Sequence, residues 1–182
     1  MVDSESTALP LGYTAMLYYY NFFIFKITPF ERWYNNFMKI EEYWQNFLTA
    51  NSLPDNLKYY EAFKFGINDK QADELLLLVK EGKKKATTSP YFEDESYPKP
   101  GDYSIVLDGN GEPRCVIRTT KTSIMRFSDM TFDICKLEGE DEVIDTWIEN
   151  HVAFLKEACD EYGCAFSYDM PIVFEQFEMA FR

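Results

Sequence analysis

Apolar residues recur along the chain in two periods, and the switches between them mark out the elements. From Met38 to Ala50, Ile40, Tyr43, Trp44, Phe47 and Leu48 fall into the single stripe of an amphipathic helix. A turn containing Pro54 follows over 51–56. Tyr59 to Phe65 is aromatic-rich and reads as extended, ending at Gly66. A second helix buries Ala72, Leu75, Leu76 and Val79, with Asn68 or Asp69 as its cap and Gly82 as the left-handed residue past its end.

Beyond a loop from Tyr91 to Pro100, the period falls to two. Tyr103 to Leu107 predicts a strand, and Asp108-Gly109-Asn110-Gly111 is a strong hairpin signal. The return strand, about Arg114 to Met125, is rich in β-branched residues and long enough to need the bend that barrels use. Phe127 to Leu137 reads as a short helix or turn with Ser128 as its cap. A long helix from about Glu142 to Tyr162 places Val143, Ile144, Trp147, Ile148, His151, Phe154, Leu155 and Ala158 on one face and stops at Gly163. His151 is therefore expected to be a core histidine. The last strand, Ile172 to Phe181, alternates Val173, Phe177, Met179 and Phe181. The order of elements predicts an α+β domain built on an antiparallel sheet or barrel.

Residues 1–37 do not join this pattern. Their Tyr- and Phe-rich run is interrupted by Asn21 and Lys26 and falls short of the about 20 apolar residues of a membrane helix. Asp3 and Glu5 stand where a signal peptide carries positive charge. Glu31-Arg32-Trp33 is what a purine-rich, ribosome-binding-like tract encodes shortly before Met38. The expectation is an atypical N-terminal extension over 1–37, from a misassigned start or a disordered segment, and a single domain over 38–182. The alternative is a membrane-associating or partner-binding arm.

Composition narrows the function classes. With 18 Lys+Arg against 31 Asp+Glu, the surface repels long polyanions, which excludes bulk nucleic-acid binding but not a local basic cleft for a small or specific anion. The four cysteines form no Cys-x-x-Cys pair and there is one histidine, so no metal and no cofactor is expected. Reduced thiols and the absence of a credible leader point to the cytoplasm, with no membrane partner. No feature sets the oligomeric state.

Against that acidic background, Glu81-Gly82-Lys83-Lys84-Lys85-Ala86-Thr87-Thr88-Ser89-Pro90-Tyr91-Phe92 stands out. Lys80 and Lys83 suit the negative end of the preceding helix. That accounts for one or two lysines, not for a block running into three hydroxyl residues. Lys83 and Lys85 are candidates to steer a phosphate, Ser89 to donate a hydrogen bond, and Tyr91 and Phe92 to stack on a base. Solvated lysines and packed aromatics are the structural alternatives.

Four stretches together resemble the ASCH domain of the PUA-like superfamily. They are Gly82-Lys83-Lys84-Lys85-Ala86-Thr87, similar to a G-x-K-x-x-T signature; Lys99-Pro100-Gly101-Asp102 before the hairpin; Glu138-Gly139-Glu140 before the helix with Trp147 and His151; and Asp169-Met170-Pro171-Ile172-Val173. The resemblance implies a small β-barrel flanked by helices, with RNA or a nucleoside-like ligand as partner. It also implies hydrolysis in some members, of acylated cytidines or of RNA, and non-catalytic RNA binding or protein interaction as the alternative. The amidohydrolase-like working set falls on Lys84, Thr87 and Glu138: a lysine to take a proton, a threonine nucleophile, and a glutamate for acid–base work. Each has a structural alternative: a surface lysine, a strand threonine and a helix-start acid.

Overall fold

The structure, a computed structural model, describes residues 29–182; the expectations for residues 1–28 lie outside them. Helix α1 spans Pro29–Ala50, strand β1 Ala62–Phe63, α2 Asp69–Lys80, β2 Ala86–Pro90, β3 Tyr103–Leu107 and β4 Pro113–Arg126. A 3-10 turn over Phe127–Asp129, α3 Phe132–Cys135, α4 Ile144–Tyr162 and β5 Pro171–Phe181 complete the chain. Helix α1 starts well before Met38. From Tyr34 to Lys39 no side chain is buried, so the buried stripe registers only from Ile40 onwards.

The five strands form one mixed sheet in the order β1-β3-β4-β5-β2. Three of the four pairings are antiparallel as expected, and β1 against β3 is parallel. Strand β2 is an addition to the expected elements. Its Ala-Thr-Thr-Ser-Pro sequence has no apolar alternation to announce it, and it forms because β5 offers it an edge from Ile172 to Gln176. Strand β4 shifts register near Thr119, which supplies the expected bend.

Three packed clusters cover the sheet. Helix α1 buries Ile40, Trp44, Phe47 and Leu48 against Ile105, Leu107 and Val116. Helix α2 buries Leu76 and Val79 against Val106, Cys115, Ile117 and Phe177. Helix α4 sets Trp147 and Leu155 over Ala86, Ile172 and Phe174. The Phe65 ring stacks on Phe177 at 5.8 Å, and the Lys84 ammonium lies 5.0 Å from the Phe65 ring centre. These contacts bring the segment after β1 towards β2 and β5, so the sheet curls barrel-fashion and has a concave face.

Local signals work as the chain chemistry predicts. The Asn68 side chain accepts the Gln71 amide at 3.0 Å and caps α2, and Gly82 and Gly163 adopt φ of +70° past the ends of α2 and α4. Ser128 does not cap a helix; its hydroxyl donates to Asp169 at 3.1 Å instead. Trp44 sits in the α1 contact, fully buried with its indole donating to the Leu57 carbonyl at 3.0 Å. Trp44→Ala is expected to cost about 3–5 kcal/mol of unfolding free energy, read as a lower midpoint in urea denaturation.

Candidate functional site

Parity along β2 decides what its side chains reach. Lys84, Ala86 and Thr88 alternate inward, while Lys85, Thr87 and Ser89 stand on the opposite row. A Lys and a Thr three residues apart on an extended chain face opposite ways. The structure accordingly brings Lys84 and Glu138 together and puts Thr88, not Thr87, beside them.

Glu138 is the centre of a sealed polar cluster behind β2. Its Oε1 accepts the Thr88 hydroxyl at 2.7 Å and the Trp147 indole at 3.0 Å. Its Oε2 faces Lys84 Nζ at 3.6 Å and His151 Nε2 at 3.5 Å. Lys84 also pairs with Glu140. The Lys84 and Glu138 side chains are each 1% exposed. His151 lies flat on Trp147, ring centres 3.9 Å apart, with Nδ1 at 2.9 Å from the Trp147 carbonyl, so both its nitrogens face acceptors. Burial works against an ionised Glu138, but the His151 hydrogen bond, the Lys84 charge and the Thr88 hydroxyl outweigh it and hold the carboxyl below the usual glutamate range.

The backbone fixes this cluster in place. The Lys85 amide donates to the Leu137 carbonyl at 2.8 Å, and Gly139, at φ +71°, packs so closely that a Cβ would meet the Lys83 carbonyl oxygen at 2.5 Å. Only glycine fits between Glu138 and Glu140 there.

The other row of β2 looks onto the concave face. Thr87 is in register with Glu175 of β5, and Ser89 with Val173. Glu175 is 8% exposed and accepts the Thr119 hydroxyl at 2.6 Å. Glu61, one residue before β1, accepts the Ile105 amide through its carbonyl and shares the side-chain parity of Phe63 and Ser104, which directs it to the same concavity. Glu61 is exposed at the surface, but the protein packed on its inner side, and then the nearby charge of Glu175, push its carboxyl up to about 7. Burial likewise raises Glu175, against the opposing pull of the Thr119 hydrogen bond.

At the α2 end of this row a cleft of about 220 Å³ is lined by Lys80, Lys84, Lys85 and Arg182 together with Glu81 and Glu178. Lys83 neutralises Glu81 at 2.8 Å and Arg118 neutralises Glu178 at 2.5 Å. Among the described residues, Lys80 and Lys85 have no acidic partner, so the cleft carries a positive surplus. Lys83 itself is exposed. Tyr91 stacks on Tyr97 at 5.4 Å, and Phe92 on Tyr162 at 4.2 Å.

Sequence reasoning missed Thr88, Glu61, Glu175 and Lys80 as members of polar sites. Glu175 had a signal: it occupies the gap in the apolar row Val173, Phe177, Met179, where alternation turns an acid inward. Among the described residues, no helix is long and apolar enough to cross a membrane and no three His, Cys, Asp or Glu residues are grouped to hold a metal ion.

The comparisons with known proteins agree on the fold. A family model described as the ASCH domain matches residues 61–180. The crystal structure of an ASCH domain from Lactobacillus crispatus superposes with a TM-score of 0.73 at 24% identity, covering 80% of this chain and 96% of that one. A crystal structure of a protein from Enterococcus faecalis gives a TM-score of 0.71 at 34% identity, covering 80% and 94%. None of the curated proteins compared matches.

Two predictions follow from the two polar clusters. Glu138→Ala leaves Lys84 short of its buried partner and is expected to cost about 3–5 kcal/mol, whereas adding Lys84→Met to Glu138→Gln costs less than the two changes separately, as a double-mutant cycle in urea reads. Glu61 binds its proton more tightly when folded, so its contribution to stability is lost as pH rises from the ordinary glutamate range to about 7. Glu138 has the opposite sign, and its contribution is lost as pH falls through its folded value. Comparing urea midpoints at about pH 5 and about pH 8, Glu61→Gln flattens the loss on the alkaline side.

Proposed function

On the premise that this chain belongs to the ASCH domain family, we propose that it binds a short RNA segment or a nucleotide-like ligand along the outer row of β2. Phosphate lies over Lys85 and Lys80, and the sugar and base extend past Thr87 and Ser89. Alternate residues of a strand stand about 6.6–6.8 Å apart, a spacing commensurate with a single nucleotide. The observation that carries this reading is the local surplus of positive charge at Lys80 and Lys85, on a chain of net charge −13. Long polyanions are repelled by the rest of the surface, and a short ligand reaches the cleft without meeting it.

Lys84 and Glu138 act in this reading as a holding pair. Every oxygen of Glu138 faces a partner within the cluster, and neither side chain offers surface to a substrate. Thr87 contributes a hydroxyl to the ligand. Hydrolysis by Lys84, Thr87 and Glu138 is the second reading, favoured by the direct Lys84–Glu138 contact.

Fluorescence anisotropy with a short labelled RNA over a range of salt tests the proposal. Lys80→Ala and Lys85→Ala are each expected to weaken binding and to lower the salt slope by about one. Binding indifferent to both would contradict it. The second reading gains if an acylated cytidine is hydrolysed by the parent chain and spared by a folded Glu138→Gln variant.

A further inference from the structure

The cysteines of the chain differ in their settings. Cys115, Cys135 and Cys159 are buried, and Cys164 is exposed. Cys159 and Cys164 stand on either side of the left-handed stop of α4. Gly163, at φ +70°, turns the chain back over the end of the helix. Its amide and that of Cys164 both donate to the Cys159 carbonyl, the second at 2.9 Å. A helix stop of this kind sets the residue after the glycine against the last turn, and the side chains at those two positions commonly meet.

The backbone alone bounds the separation of the pair. A bond of 2.9 Å between the Cys164 amide and the Cys159 carbonyl leaves their Cα atoms at most about 6.8 Å apart. The bend at the carbonyl brings them nearer than that limit. Disulfides bridge Cα separations of about 4.4–6.8 Å, so the helix stop already holds these two residues in range. Burial, and then the hydrogen bond and charge of the Cys164 thiol beside it, push the Cys159 thiol up to about 11. One sulfur is open to reagents, and a protonated one sits behind it. An accessible thiol with a second thiol in reach is the arrangement of a redox-responsive pair, in which one reacts and the other resolves. Cys115 and Cys135, on β4 and α3, have no such access.

We propose that Cys159 and Cys164 form a reversible modification site, which a low-molecular-weight disulfide of the glutathione class closes into an intramolecular disulfide. The Cys164 thiolate attacks one sulfur of the reagent. The reagent's S–S bond breaks, one thiol leaves, and a mixed disulfide remains on Cys164. Capping Cys164 removes the charge that opposes ionisation of Cys159. The Cys159 sulfur then gives up its proton and attacks the Cys164 sulfur, which forms the Cys159–Cys164 bond and expels the second thiol. Two cysteine thiols are oxidised, one reagent disulfide is reduced to two thiols, and both protons end on those thiols. The new bond closes the last turn of α4, whose Tyr162 stacks on Phe92 of the loop after β2 at 4.2 Å. Oxidation therefore holds shut the turn that anchors that loop. None of this depends on the nucleotide reading above.

Treating the reduced 182-residue chain with excess oxidised glutathione and weighing the product tests the site. The monomer is expected to become two hydrogens lighter with no glutathione attached, and dithiothreitol to restore its mass. The bond is expected inside the tryptic peptide 157–182, which carries both cysteines and no internal Lys or Arg. Cys159→Ala is expected to stop at glutathione on Cys164, and Cys164→Ser to stay unmodified. In the oxidised parent, the Gly163 and Cys164 amides are expected to exchange roughly tenfold more slowly. A parent chain that keeps glutathione on Cys164, links to a second copy, reacts at Cys115 or Cys135, or stays unmodified would overturn the proposal. Amide exchange unchanged by the bond would overturn its consequence for the end of α4.

Discussion

The arrangement depends on one buried carboxylate. Glu138 gathers a hydroxyl from β2, an indole and an imidazole from α4, and an ammonium from the turn after α2. Desolvating those charges is costly, and the attraction offsets that cost only because every partner is in place. The cluster therefore locks α2, α3, α4 and β2 to one another at a single point. It also explains why β2 exists. Five residues of weak strand propensity hold their register because Thr88 is tied from behind while β5 pairs along the edge.

Fixing β2 from behind determines what it shows in front. With Lys84 and Thr88 committed to Glu138, strand parity sends Lys85, Thr87 and Ser89 to the concave face. The block of lysines thus divides its labour. Lys83 compensates Glu81 in solvent, Lys84 is interred, and Lys85 faces an open cleft with Lys80. An acidic chain keeps a cationic spot without a basic surface, which favours a short ligand over a long polyanion.

Much of this was legible in the sequence. The stripes of α1, α2 and α4, the glycine stops at Gly82 and Gly163, and the Asp108–Gly111 hairpin are local signals, and local chemistry decides them. The pairing of Lys84 with Glu138 was legible only through resemblance, since no local rule links residues that far apart. Thr88 was passed over because the segment after Lys85 had not been recognised as a strand. Without that, the parity that separates Thr87 from Thr88 cannot be applied. The start of α1 at Pro29 escaped because the turn from Tyr34 to Lys39 buries no side chain ahead of the stripe that begins at Ile40. Glu61 escaped because it acts through the sheet's curl, which depends on long-range contacts such as Phe65 with Phe177.

The central claim is that β2 separates a sealed cluster from a working face. Titrating a short RNA into isotope-labelled protein and following the amide and indole N–H signals tests it most directly. The account predicts shifts at Lys85, Thr87, Ser89 and Glu175 while the Trp147 indole proton, held by Glu138, stays unmoved. Large shifts at Trp147 and Thr88 with Lys85 and Thr87 silent would contradict it and return Glu138 to the site of ligand chemistry.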